Sequence, residues 1–167
     1  MYSTNQLMQR GALFTDVTKK QNYEIGQQII DENGNVYEYV MTADAETLVL
    51  GDAVAFFPLG AQALDTTNDA AGARVGFALA AVTGVASTAQ YLWCIVKTGA
   101  GQAATIRVAA SCAAAITLQT TSGAGVLDDA ETIPVYGVVL GTAQGGAGTN
   151  ATAQLSFPWV ADVAVFS

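Results

Sequence analysis

The sequence contains no histidine. That removes the commonest general base and the commonest transition-metal ligand, so neither a Ser-His-Asp nor a Cys-His site can be assembled within one chain. Charge is also scarce. Asp, Glu, Lys and Arg make up 12% of the residues, where about 25% is usual. A surface with so few charges suits coverage by a partner or by copies of the chain. Cysteine occurs twice, as Cys94 and Cys112, too few for a disulfide scaffold. Two thiols also cannot complete a four-ligand zinc site without carboxylates or a second chain. Both are read as small buried hydrophobes, and their spacing leaves a bridge between them undecided. Proline is limited to 3 residues against 17 glycines.

Targeting and cofactor motifs are missing as well. Residues 1–10 are polar, with no apolar stretch of the secretory kind, and the sequon Asn150-Ala151-Thr152 carries no weight without secretion. The glycine runs GAGQAA from Gly99 and GAGVLD from Gly123 lack the third glycine and the following helix of a phosphate cradle. No Gly-Lys-Ser/Thr is present for a P-loop. These runs are read as turns, and no cofactor is expected.

What is present is a 167-residue chain, 51% hydrophobic, long enough for one domain with a core. Net charge is −8 and unevenly spread. Residues 1–20 hold Arg10, Lys19 and Lys20 against Asp16, giving +2, while the rest holds 3 bases and 13 acids, giving −10. A body so acidic lacks the basic face of a nucleic-acid-binding module. The run from Val75 to Val96 is long enough to span a bilayer. Thr83, Gly84, Ser87, Thr88 and Gln90 divide it into two strand-length pieces, and no membrane association is expected. From Val75 to Leu127 there is no Asp or Glu, which marks either the buried heart of the domain or an intersubunit surface.

Strand-like runs separated by turn residues dominate from residue 25 onward. They are Ile25–Ile30, Val36–Met41, Thr47–Leu50, Ala53–Phe57, Val75–Val82, Tyr91–Val96, Thr105–Ala109, Ile116–Thr120, Val135–Leu140 and Thr152–Phe157. This spacing predicts an all-β fold, a compact β-sandwich or β-barrel over residues 25–167. Residues 1–24 show no sustained period and are read as an extended N-terminal arm. The alanines around 109–115 favour helix by propensity, so a short helix over Ser111–Ala115 is the local alternative to strand. The stretch IIDENGNVYEYV spaces Asp31, Asn33 and Asn35 like calcium ligands. A calcium loop of the helix-loop-helix kind needs Gly at its sixth position and Glu at its twelfth. Val36 and Thr42 stand there instead. Asn33-Gly34 is a strong two-residue hairpin signal, and Tyr37 and Tyr39 then face one way, Val36, Glu38 and Val40 the other.

The best carboxylate cluster is Asp128, Asp129 and Glu131, which can serve a glycosidase or bind a cation. Its place between Gly125 and Pro134 suits ordinary solvated turn acids. Trp93, Trp159, Tyr37 and Tyr39 can stack on sugars or pack in a core or interface. No catalytic residues are assigned, and the chain is read as a non-enzyme.

The order of the segments GQQIIDENGNVYEYV, LVLGDAV, VGFALAAVTGVASTAQYLWCIVKTGAG, IRVAASCAAAITLQTTSGAGVLDDA and VYGVVLGTA resembles a group of tailed-bacteriophage proteins that decorate or cement the capsid. The resemblance covers about residues 25–145. It implies a small all-β virion protein on the outer capsid surface, often a homotrimer, with no catalytic residues. Its partner would be the major capsid protein. The arm lies outside the resemblance. Its own composition makes Leu7, Met8, Arg10, Leu13, Phe14, Lys19 and Lys20 the candidate capsid-docking residues, the apolar ones filling pockets and the basic ones meeting acids. The alternatives are a carbohydrate-binding or fibre-like module using Trp93 or Trp159 with Asp128 and Asp129, and a tail-tube or head-completion protein.

Overall fold

The structure is a computed structural model of the chain. It describes residues 14–58, 60–130, 133–144 and 150–162, and the backbone of residues 2–3. The fold is all-β. The twelve strands among the described residues begin with β1 (Tyr2–Ser3), β2 (Gln28–Ile30), β3 (Val36–Met41), β4 (Ala53–Phe56), β5 (Gln62–Ala63) and β6 (Arg74–Ala78). β7 (Tyr91–Lys97), β8 (Ala104–Arg107), β9 (Thr117–Thr120), β10 (Leu127–Asp128), β11 (Pro134–Leu140) and β12 (Asn150–Val160) complete them. They join in one sheet ordered β1-β2-β3-β7-β6-β12-β11-β9-β10, with β4 on β6, β5 on β4 and β8 on β12.

The centre of the sheet is buried on both faces. Along β4, Ala53 and Ala55 enter the main core, while Val54 enters a second cluster with Ala78, Leu92 and Cys94. β6 contributes Val75 and Phe77 to the main core, and β7 contributes Ile95. The opposite wall of that core comes from β8 to β12, through Ile106, Leu118, Leu127, Val138 and Leu155. A third, aromatic cluster of Tyr23, Ile29, Tyr39 and Trp93 sits on β2, β3 and β7. Here Tyr39 pairs with Trp93 across β3 and β7, ring centres 5.0 Å apart, the kind of cross-strand contact that fixes register. The acid-free run is therefore interior along β6 and β7, where only the end residues Arg74, Tyr91 and Lys97 are not fully buried.

Several sequence expectations are corrected. Thr47–Leu50 is not a strand; only Leu48 makes a bridge, to Val82. The Asp52 carboxylate accepts the Val49 N–H at 2.7 Å and turns the chain there. Ser111–Ala115 is not helical. Ser111 and Ala115 both have positive φ, and Cys112 between them is drawn into the core. The β2–β3 hairpin forms, but its connection is the five residues between Ile30 and Val36. The Asp31 side chain shapes it by accepting the Asn33 and Asn35 N–H groups, each at 2.9 Å. Only Gly34 of the Asn-Gly pair takes positive φ. Such a carboxylate-centred turn outcompetes a two-residue turn that needs both residues left-handed.

The segment expected to extend as an arm also packs on the body from Phe14 onward. Tyr23 is buried, Val17 packs on the second cluster, and Thr18 and Tyr91 exchange both backbone hydrogen bonds, at 3.0 and 2.8 Å.

Candidate functional site

The docking candidates separate by position. Leu7, Met8, Arg10 and Leu13 lie outside the described residues. Phe14 stacks on Tyr37, ring centres 4.1 Å apart, and meets Trp93 edge-on at 5.8 Å. Its ring is thus engaged by this chain's own aromatic cluster. Lys19 and Lys20 follow it and are exposed. Trp93, considered for sugar stacking, is buried and has no face to offer a ligand. Trp159 is 42% exposed.

Asp31, spaced like a calcium ligand, serves its own turn, and the buried acids Asp52 and Glu38 serve ion pairs. Asp31 accepts the two N–H groups named above, the Asn35 side-chain amide at 2.8 Å and the Tyr37 hydroxyl at 2.8 Å. Partial burial pushes its carboxyl up, but the donors of Asn35, Tyr37 and Asn33 outweigh it and hold it below the usual carboxylate value. Tyr37 is pushed up to about 12 by burial and by Asp31. Asp52 is buried and binds Arg107 Nη1 at 2.5 Å. Burial raises its carboxyl, against the opposing Val49 N–H and the Arg107 charge. Glu38, also buried, accepts the Gln28 amide at 2.8 Å and pairs with Arg74.

The Asp128–Asp129 pair gains a neighbour that spacing along the chain did not suggest. The Cys112 Sγ, Asp128 and Asp129 ligand atoms lie within 4.8 Å of one another. The thiol donates to Asp128 Oδ1 at 3.3 Å, and Asp129 Oδ2 accepts the Ala113 N–H at 2.6 Å. Burial pushes the Cys112 thiol up to about 12, helped by the hydrogen bond and charge of Asp128, whereas a metal ligand must be the thiolate. The arrangement works as a clamp that ties the 111–115 loop to the end of β10. Glu131, the third acid of that cluster, lies outside the described residues.

The least expected feature is on β11 and β12. Along β12 the even residues 150–156 face outward and Ala151, Ala153 and Leu155 inward. The alternation then slips: Ser156 and Phe157 are both exposed, Pro158 and Val160 turn inward, and Trp159 faces out. Phe157 takes φ 46°, a conformation that side chains rarely adopt. Gly137 of β11, φ 80°, lies at the same level, where the β11–β12 register shifts. The bulge re-aims side chains, as bulges do. Without it Phe157 and Trp159 would point into the core. Instead they stand outside, with Tyr136 5.0 Å from Trp159 and Lys97 Nζ 5.6 Å from the Phe157 ring centre.

Comparison with protein-family models, with curated proteins and with solved structures finds no match to this chain.

Proposed function

We propose that the protein is a structural interaction protein of a virion, acting as a capsid decoration or cement protein that binds the major capsid protein on the outer surface of a phage head. The observation that carries this reading is how the side chains are spent. The carboxylates of Asp31, Glu38, Asp52 and Asp129 are tied into the protein's own turns and strand pairs, while large apolar side chains stand exposed, among them Ile25, Leu50, Val139, Phe157 and Trp159. Such surface suits burial between proteins rather than turnover of a substrate. The ordered segments that resemble the decoration proteins give the reading its specific form, and that part rests on analogy. The packing of β4, β6 and β7 against β8–β12 around one core supports a β-sandwich as the finer description of the fold.

In this reading the arm docks. Phe14 anchors its base, Leu7, Met8 and Leu13 fill shallow pockets on the capsid, and Arg10, Lys19 and Lys20 meet acidic groups. The test is co-sedimentation with heads that lack the protein. Saturable binding at a fixed ratio to the capsid subunit supports the reading, and absence of binding at micromolar concentration overturns it. The exposed Trp159, Phe157 and Tyr136 favour a second reading, a carbohydrate-binding module of the virion. Binding to a glycan array with no binding to capsids would establish that reading instead.

A further inference from the structure

β8, β9, β11 and β12 contain neither Asp nor Glu, although the chain carries 14 acids and a net charge of −8. The outer side of β11 and β12 presents Gln154, Ser156, Phe157, Trp159 and Val139, with Phe157 46%, Trp159 42% and Val139 48% exposed. Beside it lies a hollow of about 310 Å³ lined by Lys97, Gly99, Gly137, Val139 and Gln154. Three cations lie beyond residue 20: Arg74, Lys97 and Arg107. Arg74 and Arg107 are paired with Glu38 and Asp52. Among the described residues Lys97 has no carboxylate partner, and it stands at the edge of this face.

We propose that the outer face of β11 and β12 is the surface through which one copy of the chain binds another, with Phe157 and Trp159 as its anchors. The occupant follows from charge. Two bodies this acidic repel one another wherever carboxylates meet, and this face brings none to the contact from either side. Exposed aromatics next to a hollow are the usual anchor and socket of a protein contact. The backbone points the same way. The fold keeps an aromatic residue in an unfavourable conformation whose one visible consequence is to turn Phe157 and Trp159 toward solvent, and such strain persists where function holds it.

The inference deepens the reading of the chain as an assembly protein and rests on it, but the two fail separately. Sedimentation velocity of the purified full-length chain at micromolar concentration should show a single oligomer. The double variant Phe157→Asn, Trp159→Thr should raise the dissociation constant by about thirtyfold or more, the loss typical of buried aromatic anchors. Asn tolerates the left-handed backbone, so this variant should keep the native melting transition. If it does not fold, Val139→Gln and Lys97→Glu on the same face provide the same readout. A wild-type chain that stays monomeric, or folded variants that assemble as the wild type does, would overturn the proposal. Capsid binding by a monomeric wild type would leave the decoration reading standing while removing this one. Glycan binding that is lost in the double variant, with no self-association, would also overturn it in favour of a sugar-binding face.

Discussion

Gly137 and Phe157 hold the same left-handed backbone sign on paired strands, with φ of 80° and 46°. A side chain at 137 would put its Cβ 2.6 Å from the Ser156 carbonyl oxygen and 3.1 Å from Pro158 Cα. Both obstacles are backbone, so neither can swing aside. Gly137→Ala should therefore lose about 1–3 kcal/mol, combining the wrong φ with the clash. Phe157→Asn should go the other way or stay neutral, gaining up to about 1 kcal/mol, because the left-handed conformation suits Asn better than Phe. Urea denaturation of the two variants under conditions where the chain is monomeric checks both signs.

Asp31 should make the hairpin acid-sensitive. Its carboxyl is held below the ordinary value of 3.8 by donors that are present only in the folded state. A depressed folded value means that the contribution is complete above the unfolded value and is lost as pH falls through the folded one. Asp31→Asn should cost about 1 kcal/mol at neutral pH, since an amide has one accepting oxygen and cannot serve both the backbone N–H groups of Asn33 and Asn35 and the side-chain donors of Asn35 and Tyr37. It should also flatten the loss of stability below pH 3.8. Thermal melts of wild type and variant across the acid range test the slope.

Asp52 should behave in the opposite sense. Its carboxyl is raised by burial, so its ionisation opposes folding as pH climbs from the unfolded to the folded value. The Arg107 guanidinium, 2.5 Å away, limits that cost. Arg107→Met should destabilise by about 3 kcal/mol at neutral pH, because it leaves a buried carboxylate with no counter-charge. The penalty should shrink in acid, where Asp52 takes up a proton. A penalty independent of pH would mean that Arg107 matters for packing alone.

Both thiols should be inert in the native state. Cys94 is fully buried and its thiol is pushed up, by burial first and by Glu38 second; Cys112 is pushed up to about 12. Neither is bridged. A thiol reagent at pH 8 should react only as the chain unfolds, and reducing agents should leave the melting temperature unchanged. Chelators should leave it unchanged as well, since the Asp31 oxygens and Asp129 Oδ2 are engaged by protein donors. A fall of several degrees with EDTA would show that Cys112, Asp128 and Asp129 hold a cation instead.

Strands that carry their own pattern were legible in the sequence. Val36–Met41 forms with the bounds its alternation predicts, and Tyr91–Lys97 extends the predicted run by one residue. The features that were not legible depend on partners distant in the chain. Thr47–Leu50 has the composition of a strand, yet its N–H groups go to Asp52 and Val82. β12 runs past Phe157, the predicted end, to Val160, because a bulge accommodates Pro158, a residue with no N–H to give. Cys112 meets Asp128 only because β10 passes beneath its loop, and no spacing along the chain announces that contact. Of the candidate docking residues, Lys19 and Lys20 are exposed. Phe14, read only as a docking side chain, has an internal partner in Tyr37.

That partner changes how the arm should be tested. Removing residues 1–20 would also remove Phe14 from Tyr37 and Trp93 and the Thr18–Tyr91 hydrogen bonds, so lost binding would be confounded with lost stability. Losing the Phe14 ring from a partly buried aromatic cluster should by itself cost about 1–3 kcal/mol. The cleaner variant is Lys19→Glu, Lys20→Glu, since both side chains are exposed and neither should move the melting temperature. If the arm docks on an acidic capsid surface, this variant should bind undecorated heads more weakly at low salt. The difference should close as salt rises, because screening removes what rim charges contribute. On the same reading, truncation of residues 1–12, which keeps Phe14 but removes β1 from the edge of β2 and so is compared at matched melting temperature, should weaken binding at every salt concentration, because it removes the proposed anchors Leu7 and Met8. Equal binding by wild type and both variants, measured by co-sedimentation, would place the capsid contact on the β-domain and leave the arm as a tail.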